Sequence, residues 1–214
     1  MADNYLEKRY EETLGSARPK VKRIGNTVDG LVLKNRSYRG YKKAYKVSRA
    51  ELERIVSVCT KIPSARNQQV LRYYLVTHDS GAEEVLGLVK MGAALPELHL
   101  PLVDTEPEAF IICCSVAPET KLVDIDLGIA LQTMLLKAVE MGLNGLIIGA
   151  FNKERLCEVF DLQYTPLAIL AIGKGAEKIE LVRCSADAPR NYWREGSTHY
   201  VPKLGLDDIL LNNA

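Results

Sequence analysis

The sequence predicts a mixed α/β domain of the α+β kind, in which a mixed sheet carries helices on both faces. Four apolar runs near residues 73, 109, 146 and 167 have the composition of strands, and helical segments of differing length separate them. Because these intervals are uneven, a mixed sheet fits better than a regular doubly wound fold. At 214 residues the chain is predicted to form one domain, 1–214, with a substantial core.

Composition narrows the possible functions. With 28 Lys and Arg against 27 Asp and Glu, the net charge is +1, which gives no general reason to expect nucleic acid or an anionic membrane as a partner. No run is apolar for the length of a membrane span, and the N-terminal residues MADNYLEKRYEE are too charged for a signal peptide. These features predict a cytoplasmic protein. The five cysteines lack a C-x-x-C pair and the three histidines lack metal-ligand spacing, so no metal is predicted.

The most apolar helix is predicted over residues 127–141. Its polar positions form one narrow stripe, made of Gln132, Thr133, Lys137 and Glu140. Asp124 or Asp126 is predicted to cap its start, and Gly142 to end it with a left-handed turn. A helix this apolar requires cover on nearly every side.

A short buried strand, 146–148, is predicted after this helix. Gly149 and Ala150 follow it with little or no side chain, which lets the backbone approach a flat ligand closely. Asn152 is predicted to cap the next helix.

The remaining helices and strands are predicted from hydrophobic periodicity and from the capping and turn residues between them. Ser48 and Glu51 form a capping box that begins a helix. Further helices are predicted over 2–14, 82–92 and 206–211, and further strands over 73–78, 109–115 and 167–172. Residues from 187 onward are predicted to be extended and rich in aromatic side chains.

The stretch 35–46, NRSYRGYKKAYK, allows three interpretations. Interleaved basic and aromatic residues can form a nucleic-acid surface. Arg36 and Arg39, with the Ser37 hydroxyl, can instead form a compact phosphate pocket, which His199 could join. The third interpretation is a solvated basic face.

A polar loop, 63–69, carries Ser64, Arg66, Asn67 and Gln69. Such a loop can make the directional hydrogen bonds that a heteroaromatic ligand requires. A plain surface connection is equally compatible with this composition.

Four ordered motifs together resemble the FMN-dependent nitroreductase family. They are Arg36-Ser37-Tyr38-Arg39, the loop 63–69, Asp126-Leu127-Gly128 and Ile148-Gly149-Ala150-Phe151, and the ending 206–209 resembles the family's C-terminal helix. The chain departs from the family pattern at Asn35, Val70 and Leu71. The resemblance covers residues 33 to about 210 of the sequence.

The resemblance implies roles at two ends of an FMN molecule. Arg36, Ser37 and Arg39 would hold the phosphate and ribityl chain, joined by Lys203. Ser64, Asn67 and Gln69 would contact the ribityl chain or the polar edge of the ring. The Ile148-Gly149-Ala150 turn would offer backbone N–H groups to the ring nitrogen that exchanges hydride. We further expect Arg66, if it points at the pyrimidine end, to stabilise an anionic reduced flavin.

The resemblance also implies an architecture and a reaction. The family has a central, mainly antiparallel sheet flanked by helices, and it forms an intertwined homodimer, which would explain the apolar central helix. The segment 1–32 would be a helical extension, and the arm 187–214 would cross to the partner subunit. The implied activity is ping-pong hydride transfer from NAD(P)H through FMN to nitroaromatics, quinones or similar small acceptors, with no catalytic side chain.

Two alternatives remain open at this point. One is a flavin-binding protein with a different flavin reaction or without NAD(P)H turnover. The other is a nucleic-acid-binding module that uses the stretch 35–46.

Overall fold

A four-stranded antiparallel sheet forms the centre of the computed structural model, which describes residues 27–92, 98 and 100–212. Its strands are Leu71–Val76 (β1), Phe110–Ser115 (β2), Asn144–Ile148 (β3) and Thr165–Gly173 (β4), in the order β1-β2-β4-β3. All three pairings are antiparallel, which confirms the predicted α+β class and its mainly antiparallel sheet. The predicted helix 2–14 and most of the extension 1–32 lie outside the described residues.

Helices cover both faces of this sheet, as predicted. The α-helices are Val28–Lys34 (α1), Arg49–Val56 (α2), Ala82–Leu88 (α3), Lys121–Glu140 (α4), Lys153–Phe160 (α5) and Leu206–Ile209 (α6), and short 3-10 helices span Ser57–Thr60, Ala65–Asn67 and His78–Ser80. Among the described residues, no helix has the length and apolar character that a bilayer crossing requires.

The fully buried strand β2 separates two hydrophobic cores. Cys113 belongs to the core under α2 and α4, whereas the adjacent Cys114 belongs to the core under α3 and α5. This placement follows from the alternation of side chains along a strand. Every residue of β2 is buried, which explains why its sequence is a continuous apolar run.

A second, three-stranded sheet was not predicted. It consists of Lys178–Cys184 (β5), Trp193–Glu195 (β6) and Thr198–Leu204 (β7), in the order β5-β7-β6. Strands β5 and β7 are parallel, and β6 and β7 are antiparallel. The segment 187–214 is thus partly extended, as predicted, but its strands pair within the same chain.

The central helix is longer than predicted and begins differently. Thr120 caps α4, so the prediction that Asp124 or Asp126 caps it is wrong. Asp126 is instead buried on α4, where its carboxylate accepts a hydrogen bond from the Ala65 N–H at 2.8 Å. Gly142 has a φ of 77°, which confirms the left-handed turn after the helix.

Two predicted caps are confirmed. Ser48 and Glu51 form a reciprocal capping box at the start of α2. The side chain of Asn152 accepts a hydrogen bond from the Arg155 N–H and caps α5. Each of these side chains satisfies a backbone N–H that has no partner within its helix.

The helix predicted over residues 82–92 is shorter, because α3 ends before Val89. Val89 pairs with Phe151 in an isolated β-bridge, and the Lys90 N–H donates to the Ala150 carbonyl at 2.8 Å. These bonds draw the chain out of helical geometry and attach it to the turn that follows β3.

Strand β3 begins at Asn144, two residues before the start of the predicted strand 146–148. A Cβ atom on Gly145 would lie 2.5 Å from Leu135 Cδ2 and 2.8 Å from the Ala171 carbonyl oxygen. Only glycine therefore fits between α4 and β4 at this position without a shift of the backbone.

We expect Gly145→Ala to reduce the free energy of unfolding by about 1–3 kcal/mol, the usual effect of overpacking. Urea unfolding would measure this change. Gly128→Ala is the matched control, because a Cβ there meets no atom within 4 Å. The control should be neutral or more stable by up to about 1 kcal/mol, since Gly128 lies inside a helix. Equal stability of Gly145→Ala and wild type would contradict the packing described above.

Candidate functional site

A cavity of about 290 Å³ lies where segment 35–39 meets β3, α4 and the second sheet. Its polar lining includes Arg36, Ser37, Arg39, Gln132, His199 and Lys203. The structure thus brings together all four residues predicted for a phosphate site, although about 160 positions separate the first three from Lys203. His199, the further candidate, is 2% exposed.

Backbone contacts fix the segment that carries the two arginines. Ser37 pairs with Gly145 in a parallel bridge, and the Tyr38 N–H donates to the Gly145 carbonyl at 3.1 Å. The Tyr41 hydroxyl donates to the Tyr38 carbonyl at 2.8 Å. A Cβ on Gly175 would lie 2.4 Å from the Tyr38 ring, so glycine is required to seat this tyrosine.

Buried side-chain atoms without a hydrogen-bond partner concentrate around this cavity. In the described part of the chain they are Arg36 Nε, Arg39 Nε, Arg194 Nε, His199 Nδ1 and Glu177 Oε2. Leaving such a group unpaired typically costs about 1–3 kcal/mol. Four of the five are nitrogens, so the cluster is rich in groups that can bind an anion.

Arg39 occupies the centre of the cluster. Its guanidinium donates to the Ser37 carbonyl at 3.2 Å and to the Tyr192 hydroxyl at 3.5 Å, and it lies 5.0 Å from the centroid of the Tyr192 ring. The Tyr192 ring also contacts the His199 ring, with centroids 4.9 Å apart. Tyr192 therefore orients both Arg39 and His199.

Glu177 supplies a negative charge behind the cavity. Its carboxylate accepts from the Arg39 N–H and pairs with Arg194, both at 3.2 Å, and its side chain is 6% exposed. Burial raises the pKa of Glu177, and the neighbouring Arg194 opposes this rise. Arg36 and Lys203 line the cavity as well, so four cations and one carboxylate lie in or behind it, and the site has an excess of positive charge.

The environment keeps His199 neutral. Burial, together with repulsion from Arg39 and Arg194, lowers the pKa of His199 to about 4. At neutral pH its ring therefore carries a single N–H and no net charge.

The lowered pKa predicts acid sensitivity. An unfolded imidazole takes up its proton near pH 6.5, so as the pH falls the unfolded state binds the proton before the folded state does. The contribution of neutral His199 to the free energy of unfolding is fully present above pH 6.5. About 3 kcal/mol of the free energy of unfolding should be lost between pH 6.5 and pH 4. Urea unfolding from pH 7 to pH 4.5 would measure this loss. His199→Gln should show a shallower dependence on pH, and parallel curves for the two proteins would contradict the assignment.

The rest of the basic stretch does not form an open cationic face. Lys43 pairs with Glu106 at 3.1 Å and with Glu108 at 3.2 Å, and Lys46 also pairs with Glu108. Tyr41 is 3% exposed and belongs to the core. A nucleic-acid surface requires accessible aromatic faces beside unpaired cations, so these contacts argue against that alternative.

The polar loop lies at a second cavity, of about 230 Å³, which shares no lining residue with the first. Ser64 and Gln69 line it together with Asp126. Arg66 and Asn67 are exposed and line neither of these two cavities. Within one chain, the structure therefore does not bring the predicted ring-contacting loop to the predicted phosphate residues.

The backbone of this loop is unusual. Arg66, Asn67 and Gln69 have φ values of 54°, 54° and 49°, in the left-handed region that non-glycine residues seldom occupy. Such conformations persist where surrounding contacts impose them, and they concentrate at binding sites. Here the buried Asp126 carboxylate holds the Ala65 N–H, and the Ser64 hydroxyl accepts from the Gln69 N–H at 3.2 Å.

The turn after β3 is exposed at the surface of the described chain. Gly149 and Ala150 are exposed, and a Cβ on Gly149 would meet no atom within 4 Å. Ile148, in contrast, is buried in the core. Since Ser37 pairs with Gly145, the phosphate candidates lie at the start of β3 and this turn lies at its end, roughly 13 Å away along an extended strand.

Sequence reasoning missed four residues that shape the site: Asp126 as a loop anchor, Glu177, Tyr192 and Arg194. Tyr192 and Arg194 lie in the segment that was predicted only as extended and aromatic. Their role depends on the pairing of β6 with β7, which carries His199. In the described residues, no group of three or more His, Cys, Asp or Glu side chains could hold a metal ion.

Comparisons with known proteins agree with the fold and with the resemblance to the nitroreductase family. Residues 116–174 match the model of the Nitroreductase family. YdgI of Bacillus subtilis, whose name assigns it to the NAD(P)H nitroreductases, is 26% identical over 179 residues, which cover 67% of this chain and 86% of that protein.

Solved structures with the same fold include two that contain FMN. One, from Exiguobacterium sibiricum 255-15, was crystallised in complex with FMN and is described as a nitroreductase; its TM-score is 0.59 at 21% identity, over 72% of this chain and 90% of that chain. The other is an oxidoreductase containing FMN, with a TM-score of 0.60 at 20% identity, over 88% of this chain and 92% of that chain. This chain is therefore similar to the nitroreductase family over residues 116–174, and it shares the fold of these solved structures.

Proposed function

We propose that this chain is an FMN-dependent NAD(P)H oxidoreductase that reduces nitroaromatics, quinones or similar electron-poor small molecules. The similarity to the nitroreductase family and the names of the similar proteins support this general activity. The observation that carries the proposal in the structure is the cluster of unpaired nitrogens and fixed cations around the 290 Å³ cavity. Cytoplasmic location stays a prediction from the sequence.

The residues at this cavity fit the phosphate group of FMN. A phosphomonoester presents oxygens that accept several hydrogen bonds, and Arg36, Arg39 and Lys203 provide charged donors for them. The Ser37 hydroxyl, which is exposed beside them, provides a neutral donor. Arg36 and Arg39 also satisfy the geometric preference of phosphate for planar, two-pronged donors.

The outer edge of β3 offers a path from this phosphate site to the turn at Gly149. On one side β3 pairs with β4, and on the other side Ser37 pairs only with Gly145. Ile147, between the two ends, is 44% exposed and lines the cavity. In this proposal the ribityl chain follows β3, and the backbone N–H groups of Gly149 and Ala150 contact the ring.

When bound, FMN would accept a hydride from NAD(P)H and pass it to the second substrate. The chain's own contribution is to bind, to orient and to supply electrostatic stabilisation. We propose that Ser64, Asn67 and Gln69 bind the ribityl chain or the ring edge. Arg66, which is exposed, would place its fixed positive charge near the reduced ring.

We further propose that the protein is a homodimer in which each copy completes the site of the other. The loop 64–69 and the phosphate residues line separate cavities in one chain, so a second copy could supply the loop. Apolar surface is available for such an interface. Leu122 and Ile125 on α4 are 44% and 48% exposed, and α1 contains no buried residue. The arm 187–214 would add to this interface.

If α4 lies in the proposed dimer interface, charged residues introduced on its exposed apolar face should disrupt the dimer. We expect Leu122→Glu with Ile125→Glu to produce monomers and to weaken FMN binding at least 10-fold, because buried charges without partners disfavour association. Light scattering coupled to size-exclusion chromatography would report the mass. Val159→Glu, an exposed apolar residue on α5, is the matched control and should leave the dimer intact. A double variant that stays dimeric would contradict this interface.

Anaerobic reduction tests the proposed activity. Purified protein loaded with FMN should lose its visible flavin absorbance on addition of NADPH or NADH, and a quinone or nitroaromatic should restore it. This pair of half-reactions, each without the other substrate, defines the ping-pong scheme. Retained FMN that neither nicotinamide bleaches would instead indicate the flavin-binding alternative without NAD(P)H turnover.

A further inference from the structure

His199 is a buried side chain with no assigned partner inside the proposed cofactor cavity. It is 2% exposed, its Nδ1 has no hydrogen-bond partner, and it lines the same cavity as Arg36, Arg39 and Lys203. An apolar ring could fill this buried position and would leave no polar atom without a hydrogen-bond partner. A buried ring nitrogen without a hydrogen-bond partner beside an open cavity therefore calls for a binding explanation.

The neighbours of His199 exclude two simpler roles. No acidic side chain pairs with it among the described residues, so it is not one half of a structural ion pair. It also lacks the grouping that a metal site requires among the described residues. The one nearby carboxylate, Glu177, is held by Arg194 and by the Arg39 backbone.

The groups that face His199 come from every element around it. Arg39 of segment 35–39 and Arg194 of β6 act electrostatically on His199, and Arg36 and Lys203 line the same cavity. The Tyr192 ring contacts the imidazole in a tilted arrangement, with centroids 4.9 Å apart. All of the charged groups among these are cations. The ligand that such surroundings favour is an anion with several acceptor oxygens, which can use a neutral N–H donor as well as charged donors.

We propose that His199 is a direct ligand of the FMN phosphate group and contributes to the selection of phosphorylated over unphosphorylated flavin. This inference rests on the proposed function. It assigns to β7 two ligands, His199 and Lys203, whose side chains both line the cavity and lie four residues apart on one strand. Residues separated by an even number along a strand share a face, which is why both can reach the same group.

The test compares FMN with riboflavin, which lacks the phosphate. Dissociation constants for both would be measured by quenching of flavin fluorescence in wild type and His199→Gln. We expect His199→Gln to weaken FMN binding by about 10- to 100-fold, the usual range for a hydrogen bond to a charged group, and to change riboflavin binding less than about twofold. His78→Gln is the matched control, since His78 is exposed and pairs with Glu108; it should change neither constant.

Each outcome decides between the two claims. If wild type prefers FMN and His199→Gln keeps the same preference, the inference is overturned and the proposed function stands. An equal loss of both flavins in His199→Gln would show a structural role and would also overturn the inference. If wild type binds neither flavin, the proposed function fails first.

A second measurement does not depend on the variant folding. Imidazole nitrogen resonances of wild type would be followed by NMR during a titration with FMN and, separately, with inorganic phosphate. The chain has three histidines, so few signals need assignment. We expect the His199 signals to shift with both ligands and those of exposed His78 to remain in place. Unmoved His199 signals under saturating FMN would overturn the inference.

Discussion

Replacing Arg36 and Arg39 together with alanine should weaken FMN binding by roughly 10²- to 10⁴-fold. Each arginine offers a charged hydrogen-bond donor that contributes about 1.5–3 kcal/mol, and tenfold in affinity corresponds to about 1.4 kcal/mol. The Nε atoms of both arginines are buried without a partner, so a phosphate oxygen would be their first satisfying acceptor. Titration of the apo protein with FMN would measure the change.

The control for this variant comes from the same stretch of sequence. Lys42→Ala with Lys46→Ala removes the same number of positive charges, but neither lysine lines the cavity. It should leave FMN affinity within about threefold of wild type, because exposed charges act weakly through solvent. If both double variants lost affinity equally, the effect would be one of general charge and the phosphate site would be misplaced.

A leucine at Gly149 should reduce turnover by about 100-fold or more while the protein remains folded. Gly149 is exposed, and a Cβ at this position meets no atom within 4 Å among the described residues, so a side chain can start here without a shift of the backbone. The added side chain would instead occupy the space in front of the turn, where the proposal places the flavin ring. Displacement of reacting groups by about 1 Å can reduce a rate by about 100-fold.

Gly87→Leu is the control for this experiment. Gly87 lies in α3, and a Cβ there also meets no atom within 4 Å. NAD(P)H-dependent reduction of a quinone should be normal in Gly87→Leu and nearly lost in Gly149→Leu, with similar unfolding midpoints. Full activity of Gly149→Leu would show that the ring lies elsewhere.

The phosphate end of the site could be predicted because its residues are local in sequence. Arg36, Ser37 and Arg39 lie within four consecutive positions, and the chemistry of two arginines beside a hydroxyl is specific enough to favour an anion. Lys203 followed only from the resemblance, and the structure places it at the same cavity.

The positions of Glu177 and Arg194 behind the cavity could not be predicted, because they depend on strands with little sequence signature. Strand β5 is half-exposed and contains Lys178, Glu180 and Arg183, so it has no apolar run. Strand β6 contains three residues, of which Arg194 reaches Glu177. Pairings of this kind are set by tertiary contacts, to which local propensity contributes little.

The central helix could be predicted from the sequence, but its N-terminal cap could not. Its apolar periodicity identified the helix, but three candidate caps, Thr120, Asp124 and Asp126, lie within seven residues. All three side chains can cap a helix, so sequence preference alone could not decide among them. The structure places Thr120 at the cap and assigns Asp126 to the loop at Ala65.

The most direct test of FMN binding at this site is the visible absorption spectrum of the purified protein after loading with FMN and removal of the excess by gel filtration. We expect a flavin band that co-elutes with wild type at close to one FMN per chain and is lost from the Arg36→Ala, Arg39→Ala double variant. A wild-type protein that emerges colourless under these conditions would contradict the assignment of the cavity to a flavin phosphate.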